Sequence, residues 1–287
     1  MPRIAYVNGR YLPHRSATVH IEDRGYQLAD GVYEVCEVAH GLIVDSVRHL
    51  DRLDRSLREL RIGWPMTRAA LRIVMGEVVR RNRVRDGNVY IQVTRGVAPR
   101  DHVFPAEGTR PAVVVTAKKI DRRKGASTAE KGIGVITLPE NRWDRVDIKS
   151  VGLLPNVLAR QAAKEAGAGE AWFVDRDGFV TEGAATNAWI VTADGVLVTR
   201  PAEHGILRGI TRTTLFEVAR KLDLRIEERA FTVDEAKSAR EAFITAATTL
   251  VMPVVSIDGQ PVANGHPGTI ARELRAAFFD VAEKAPA

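Results

Sequence analysis

The sequence predicts a two-domain protein of mixed α+β and α/β class, and three observations carry that expectation. The chain has 287 residues, more than one comfortable core holds and suited to one large or two medium domains. Segments with the two-residue alternation of strands interleave with segments that repeat at the helical period. Midway, DRRKGASTAEKG (121–132) loses apolar residues and gains charge and small side chains, the composition of a linker. Residues 1–120 are expected to form a small N-terminal α/β domain, 121–132 the linker, and 133–287 a larger C-terminal domain.

In order along the chain, AYVNGRYLP sets Asn8-Gly9 between two β-prone runs, the strongest short-range hairpin signal. GVYEVCEV and LIV flank His40-Gly41 as a second hairpin. Leu50, Leu53, Leu57 and Leu60 then follow at helical spacing, so a helix is expected over 47–61. TRAALRIVMGEVVRRN repeats at the same period, and NVYIQVTRG and PAVVVTAKKI are β-branched strands. Beyond the linker come the strand GVITL, the helix NVLARQAAKEAGA, and the strand pairs AWFVDRDGFVTE and AWIVTADGVLVT, each turning at Asp-Gly. Helices close the chain at 211–222, at 232–239, where Thr232 and Glu235 have capping-box spacing, and at 268–283.

Composition narrows the class. Apolar residues make up 45% and charged residues 27%, the balance of a soluble globular protein. The N-terminus has no apolar stretch behind a basic start and no run approaches about 18 apolar residues, so a cytoplasmic protein without membrane contact is expected. The formal charge of +6 invites a nucleic-acid partner, but the basic residues are spread beside acids, as in RHLDRLDRSLRELR, and no nucleic-acid motif appears. The single Cys36 excludes an intrachain disulfide and packs in a strand pattern.

Among candidate chemical groups, Lys149 lies in RWDRVDIKSVGLLPN, with Asp144 and Asp147 upstream and no lysine nearby. A lysine partly removed from water loses charge stabilisation, and its neutral amine can attack a carbonyl. The same residue also fits a strand-edge lysine whose stem packs while its ammonium reaches solvent. Glu182 in VTEGAATN and Arg52 in HLDRL are equally compatible with a turn carboxylate and a surface ion-pair face.

Four segments, DRGYQLADGVYEV, DIKSVGLLPN, VTEGAATNAW and HGILRGITR, occur in this order. Together they resemble the class IV, fold-type IV pyridoxal-phosphate enzymes, over about residues 4–282. The resemblance implies a β-barrel-like larger domain carrying the cofactor lysine, and pyridoxal 5'-phosphate as cofactor. It makes Lys149 the lysine that joins the cofactor as a Schiff base and moves the substrate's proton. Glu182 becomes the acid facing the pyridine nitrogen. Arg52, Ile210, Thr211 and Thr248 serve the phosphate, the helix start near Ile210 offering free N–H groups, and Leu207 packs on the ring. Ala184 and Ala185 stand where family members often have serines.

Tyr33 in GVYEV, with Arg100 and His102 in VTRGVAPRDHVFP, is similar to the carboxylate clamp of D-amino acid aminotransferases. In that pattern the arginine and histidine reach in from the neighbouring subunit of a homodimer. Transamination between D-amino acids and 2-oxo acids is therefore expected, of the D-alanine and 2-oxoglutarate type. A branched-chain L-amino acid aminotransferase, an (R)-amine aminotransferase and an aminodeoxychorismate lyase share the scaffold, and Arg100 with His102 argues against each. A non-catalytic basic binding module is opposed by Lys149 and Glu182 occurring together.

Overall fold

A computed structural model of the chain describes residues 3–203 and 205–286. It divides into two compact units, Met1–Arg122 with Ile148–Gly152 and Glu283–Ala287, and Arg123–Asp147 with Leu153–Ala282.

The first unit is an antiparallel sheet with helices. Its strands are β1 (Ile4–Val7), β2 (Arg10–Pro13), β3 (Gly31–Ala39), β4 (Leu42–Val44), β5 (Gly87–Thr94) and β6 (Ala112–Lys119), joined by the strand Lys284–Pro286. Their order is Lys284–Pro286, β4, β3, β5, β6, β1, β2. Both expected hairpins form, with positive φ at Asn8 (44°), Gly9 (93°), His40 (53°) and Gly41 (83°), which the Asn-Gly and His-Gly pairs tolerate. Helix α1 (Arg24–Leu28) is capped by Asp23, α2 spans Ser46–Glu59, and α3 (Arg68–Arg81) is capped by the Thr67 hydroxyl. Leu50, Leu53 and Leu57 of α2 are buried with Val32, Cys36 and Val38 of β3 in one core. Arg58, Arg68, Arg80 and Arg81 pair with Asp51, Asp54 and Glu77 on the surfaces of α2 and α3, as the interleaved charges imply.

The second unit begins with α4 (Arg122–Lys131), so the segment expected to be a linker is a helix. Alanine, lysine, arginine and glutamate favour helices, and its low apolar content reflects a surface helix whose one buried residue is Ala129. The strands are β7 (Ile133–Pro139), β8 (Glu170–Val174), β9 (Val180–Gly183), β10 (Asn187–Val191), β11 (Leu197–Thr199), β12 (Ile226–Glu228), β13 (Glu241–Ala246), β14 (Leu250–Ile257) and β15 (Gln260–Pro261). The helices are α5 (Leu154–Glu165), α6 (Ile210–Lys221), α7 (Val233–Lys237) and α8 (Thr269–Val281). Thr232 caps α7 by accepting from the Glu235 N–H, the expected geometry.

The sheet runs β12-β11-β10-β13-β14-β7-β8-β9, with β15 on β14. A turn in which the Gly183 N–H donates to the Thr186 carbonyl (2.7 Å) carries β9 back to β10, so the path returns on itself in barrel-like fashion. Along β10, Ala188 and Ile190 enter a core with Trp172 and Phe231, whereas Trp189 and Val191 enter another with Leu215, Phe243 and Leu274. Strands buried on both faces lack alternation, which is why β13 and β14 carry no strand period in the sequence.

Two boundaries differ from the expected division. Lys149 lies in the first unit, because Val32 and Ser150 form an antiparallel bridge and the Tyr33 N–H donates to the Lys149 carbonyl at 3.0 Å. The C-terminal strand joins the first unit by pairing with β4. No helix among the described residues is long and apolar enough to cross a membrane.

Candidate active site

In the first unit the Lys149 ammonium is held against Tyr33. Nζ donates to the phenol oxygen at 3.2 Å and sits 4.3 Å from the ring centroid. The backbone directs it there: besides the Tyr33 N–H bond, the Val151 N–H donates to the Gly31 carbonyl (3.0 Å) and the Lys149 N–H to the Ser56 hydroxyl of α2 (3.4 Å). Tyr33 lies beside Tyr90, their ring centroids 5.8 Å apart. Burial, with Tyr33 adding to it, pushes the Tyr90 phenol up to about 12. Strand alternation turns the next residue, Glu34, to the opposite face.

That face contains a buried charge network. Arg52, one turn before Ser56 on α2, donates from Nε and Nη2 to the two Glu34 oxygens at 2.7 and 2.8 Å. His49 Nδ1 lies 2.7 Å from Glu34 Oε2. Burial alone would raise the Glu34 carboxyl, but the charge and hydrogen bonds of Arg52, with His49, hold it down at about 2. An ionised Glu34 only accepts, so His49 Nδ1 carries the hydrogen, and burial lowers the ring's affinity for a second proton. Arg52 is thus a buried, oriented cation rather than part of the exposed ion-pair face.

Arg100 and His102 lie on an exposed loop, and among the described residues neither makes a hydrogen bond or ion pair with Tyr33 or Lys149. The loop itself is anchored. Buried Arg24 donates to the Asp101 carbonyl (2.7 Å) and to Asp30 (2.8 Å), and the Phe104 ring lies 3.8 Å from the Arg95 guanidinium and 4.8 Å from that of Arg61. Arg95 is fixed in turn by Asp30 (2.7 Å).

In the second unit Glu182, at the end of β9, is buried and surrounded by donors. Arg142 Nη1 donates to it at 2.6 Å, Asn187 Nδ2 at 2.9 Å, and the Leu207 N–H at 3.2 and 3.1 Å. The same Asn187 nitrogen donates to the Leu207 carbonyl (2.9 Å), so the Leu207 backbone is tied to both Glu182 and Asn187. Burial would lower the Arg142 affinity for its proton, but Glu140 and Glu182 raise it overall. A turn carboxylate would reach solvent; this one is built in. Ala184 is buried and Ala185 exposed, and the Ala184 carbonyl accepts from Asn156 Nδ2 at 2.8 Å.

Helix α6 starts at Ile210 with Gly209 as N-cap and no side-chain cap, and both Ile210 and Thr211 are buried. A Cβ on Gly209 would lie 2.0 Å from Asn187 Oδ1, so glycine is what allows the strut from Glu182 to abut the helix start. His204, which opens the HGILRGITR motif, lies outside the described residues. Asn187 pairs with Thr245 of β13, which puts the β13–β14 turn at the same end of the sheet. Thr248 is exposed on that turn, whereas the adjacent Thr249 hydroxyl is buried and has no hydrogen-bond partner among the described residues. A buried hydroxyl awaiting a partner and an uncapped helix start are what a phosphate needs, and a carboxylate in a wall of donors suits a ring nitrogen. The donor set therefore fits pyridoxal phosphate.

The sequence reading misses Glu34, His49, Ser56, Glu140, Arg142, Asn187 and Thr249. Two of them leave a signal: Glu34 is a charged residue at an inward position between Val32 and Cys36, and Asn187 lies within the VTEGAATNAW segment.

The chain matches the family described as Amino-transferase class IV over residues 31–257. A D-alanine aminotransferase of Bacillus licheniformis is 42% identical over 271 residues, 94% of each chain, and one of Staphylococcus haemolyticus is 38% identical over 95% of each. The branched-chain amino acid aminotransferase of Escherichia coli has the same fold, with a TM-score of 0.91 at 24% identity over 98% of this chain and 95% of that one. A T.th. branched-chain amino acid aminotransferase solved with pyridoxamine 5'-phosphate gives 0.89 at 27% identity, over 98% of this chain and 94% of that one. This chain belongs to the class IV aminotransferases and has their fold-type IV architecture. It is an aminotransferase.

Proposed function

We propose that the chain binds pyridoxal 5'-phosphate and exchanges amino groups between D-amino acids and 2-oxo acids, D-alanine and 2-oxoglutarate among them. The observation that carries this reading is the Lys149 amine held 3.2 Å from the Tyr33 hydroxyl in a chain whose sequence relatives are D-alanine aminotransferases. When bound, the cofactor supplies an electrophilic carbonyl carbon and a ring that withdraws electrons from the substrate's α-carbon. Lys149 Nζ would be the attachment point and, once the incoming amino group has freed it as an amine, would take the α-proton. Glu182 faces the ring nitrogen and Leu207 the ring. Arg52, the N–H groups of Ile210 and Thr211, and Thr248 with Thr249 bind the phosphate. Tyr33 orients the substrate, and its α-carboxylate is gripped by Arg100 and His102 of a neighbouring copy.

That last role requires a homodimer, and the surface of α5 favours one. Leu154, Val157 and Leu158 share one face at helical spacing and are 68, 58 and 59% exposed, more apolar surface than a solvated helix carries. A cytoplasmic location belongs to the same reading, from the soluble composition and the single, buried cysteine. Fold likeness to branched-chain enzymes favours the second reading, transamination of L-leucine and L-valine. Incubating the holoenzyme with 2-oxoglutarate and each enantiomer of alanine, leucine and valine separates the two. D-alanine should yield pyruvate while L-leucine and L-valine stay unreacted; preference for the branched L-amino acids would overturn the D-specific reading.

A further inference from the structure

The turn between β13 and β14 puts a leucine where a hairpin calls for glycine. The Thr249 N–H donates to the Ala246 carbonyl (3.2 Å), Ala246 pairs with Leu250, and Leu250 itself has a φ of 58°. A turn closed in this way and followed by a left-handed residue is the three-residue hairpin with a bulge, whose left-handed position is usually filled by glycine because a side chain there crowds the backbone. A bulky residue keeps such a conformation only where its surroundings over-determine it. Here they do so from two sides. The Leu250 side chain is buried, and Arg275 Nη1 of α8 donates to the carbonyls of Thr249 and Val251, the residues flanking Leu250, at 2.6 Å each. Helix α8 is a firm mount for that arginine. The N–H groups of Ile270 and Ala271 in its first turn donate to the two oxygens of buried Glu241 at the start of β13 (3.0 Å each). Ile270, Ala271 and Leu274 enter the core that also holds Leu215 and Val218 of α6 and Val251 of β14. The helix whose start carries Ile210 and Thr211 and the turn that carries Thr248 and Thr249 are therefore fixed on one core.

We propose that Arg275 is a positioning residue for the cofactor phosphate: by bonding the main chain on both sides of Leu250 it holds that residue left-handed, and so sets where the Thr248 and Thr249 hydroxyls are presented. The Thr249 hydroxyl, buried with no partner among the described residues, is the group that this placement leaves for the phosphate. Arg275 acts through main-chain carbonyls of the turn, so its influence falls on the phosphate end of the cofactor and not on the ring. The inference rests on the reading, given above, that these two threonines bind the phosphate.

The test compares two probes, pyridoxamine 5'-phosphate and pyridoxamine, in calorimetric titrations of the apoprotein; the ratio of their affinities isolates the phosphate. Arg275→Met removes both bonds and should lower that ratio about tenfold, the scale of one charge-assisted hydrogen bond, while pyridoxamine binds as it does to the wild type. Arg275→Gln, shorter and uncharged, should shift the ratio in the same direction and carries the test if the methionine variant does not fold. An unchanged ratio, or an equal loss for both probes, which is what a purely structural role would give, overturns the proposal. Leu250→Gly supplies a residue that is left-handed without help, so adding Arg275→Met to it should change the ratio by less than about twofold, even if the glycine variant melts at a lower temperature. An undiminished fall in the glycine background would mean that Arg275 does not act through Leu250, and overturns the proposal as well. Thr248→Val/Thr249→Val separates the two levels. If the ratio stays at the wild-type value, the reading of the turn as phosphate-binding fails and the proposal with it; if it falls while Arg275→Met leaves it unchanged, only the proposal falls.

Discussion

Replacing Glu34 by glutamine removes the anion on which Arg52 and His49 converge. Folding lowers this carboxyl from 4.5 to about 2; at about 1.4 kcal/mol per pH unit that corresponds to roughly 3 kcal/mol. Removing one partner of a buried ion pair independently suggests about 3–5 kcal/mol. Glutamine retains one acceptor for Arg52, so the expected loss is about 3 kcal/mol at pH 7. The sign of the pH dependence follows from the direction. A folded value below the unfolded one gives stability that is complete above about 4.5 and is lost as pH falls toward about 2. At pH 3.5 about 1 kcal/mol of it should be gone, so the gap between wild type and variant narrows by roughly that amount. Urea unfolding of the apoprotein at pH 7, 5, 4 and 3.5 measures the gap, and hydrogen exchange of the α2 peptide assigns it to the first unit. A difference below about 1 kcal/mol at pH 7, or one that does not narrow in acid, would refute the reasoning.

Borohydride reduction of the holoenzyme should place a pyridoxyl group on Lys149, and Lys149→Ala should bind the cofactor without covalent attachment; peptide mapping that finds the label on another lysine contradicts the assignment. Gly209→Ala puts a methyl group 2.0 Å from Asn187 Oδ1 and should destabilise the protein by about 1–3 kcal/mol and weaken cofactor binding, measured by thermal melts and fluorescence titration. A full-affinity, full-stability alanine variant would show that Asn187 yields freely. Arg100→Ala should weaken D-alanine binding ten- to a hundredfold, since a charge-assisted bond to a carboxylate is worth about 1.5–3 kcal/mol. Mixed dimers of Lys149→Ala and Arg100→Ala chains should recover part of the activity; proven mixing without recovery counts against a shared site.

Periodicity and turn chemistry make much of the fold legible. The Asn8-Gly9 and His40-Gly41 hairpins and the leucine stripe of α2 are local patterns, and each forms as the sequence implies. Buried strands are less legible: EAFITA and LVMPVVSI are apolar on both faces and show no period. Lys149 is identifiable by its motif, but its place in the first unit depends on a bridge between Val32 and Ser150, which no local pattern encodes. The same holds for the second ring of contacts. Arg142 contacts Glu182 across 40 positions of sequence, and Arg52 contacts Glu34 across 18. In both cases the single residues stand in the sequence, but the pairing that joins them does not.

Where substrate handedness is decided follows from setting fold likeness beside sequence likeness. The chain shares its backbone with branched-chain enzymes and its sequence most visibly with D-alanine aminotransferases, so the scaffold cannot be what discriminates. Discrimination must come from side chains mounted on it. In the proposed mechanism Lys149 would deliver a proton to one face of a planar centre, and the accepted enantiomer would then depend on which side the α-carboxylate is held. The loop carrying Arg100 and His102 has the properties such a grip requires. Its main chain is fixed by the Arg24 bond to the Asp101 carbonyl and by Phe104 against Arg95, while the two side chains remain exposed. A fixed backbone with accessible polar ends loses little freedom on meeting an anion. On the proposed reading, a change in that loop should therefore alter the preferred enantiomer and leave the cofactor roles proposed for Lys149 and Glu182 in place.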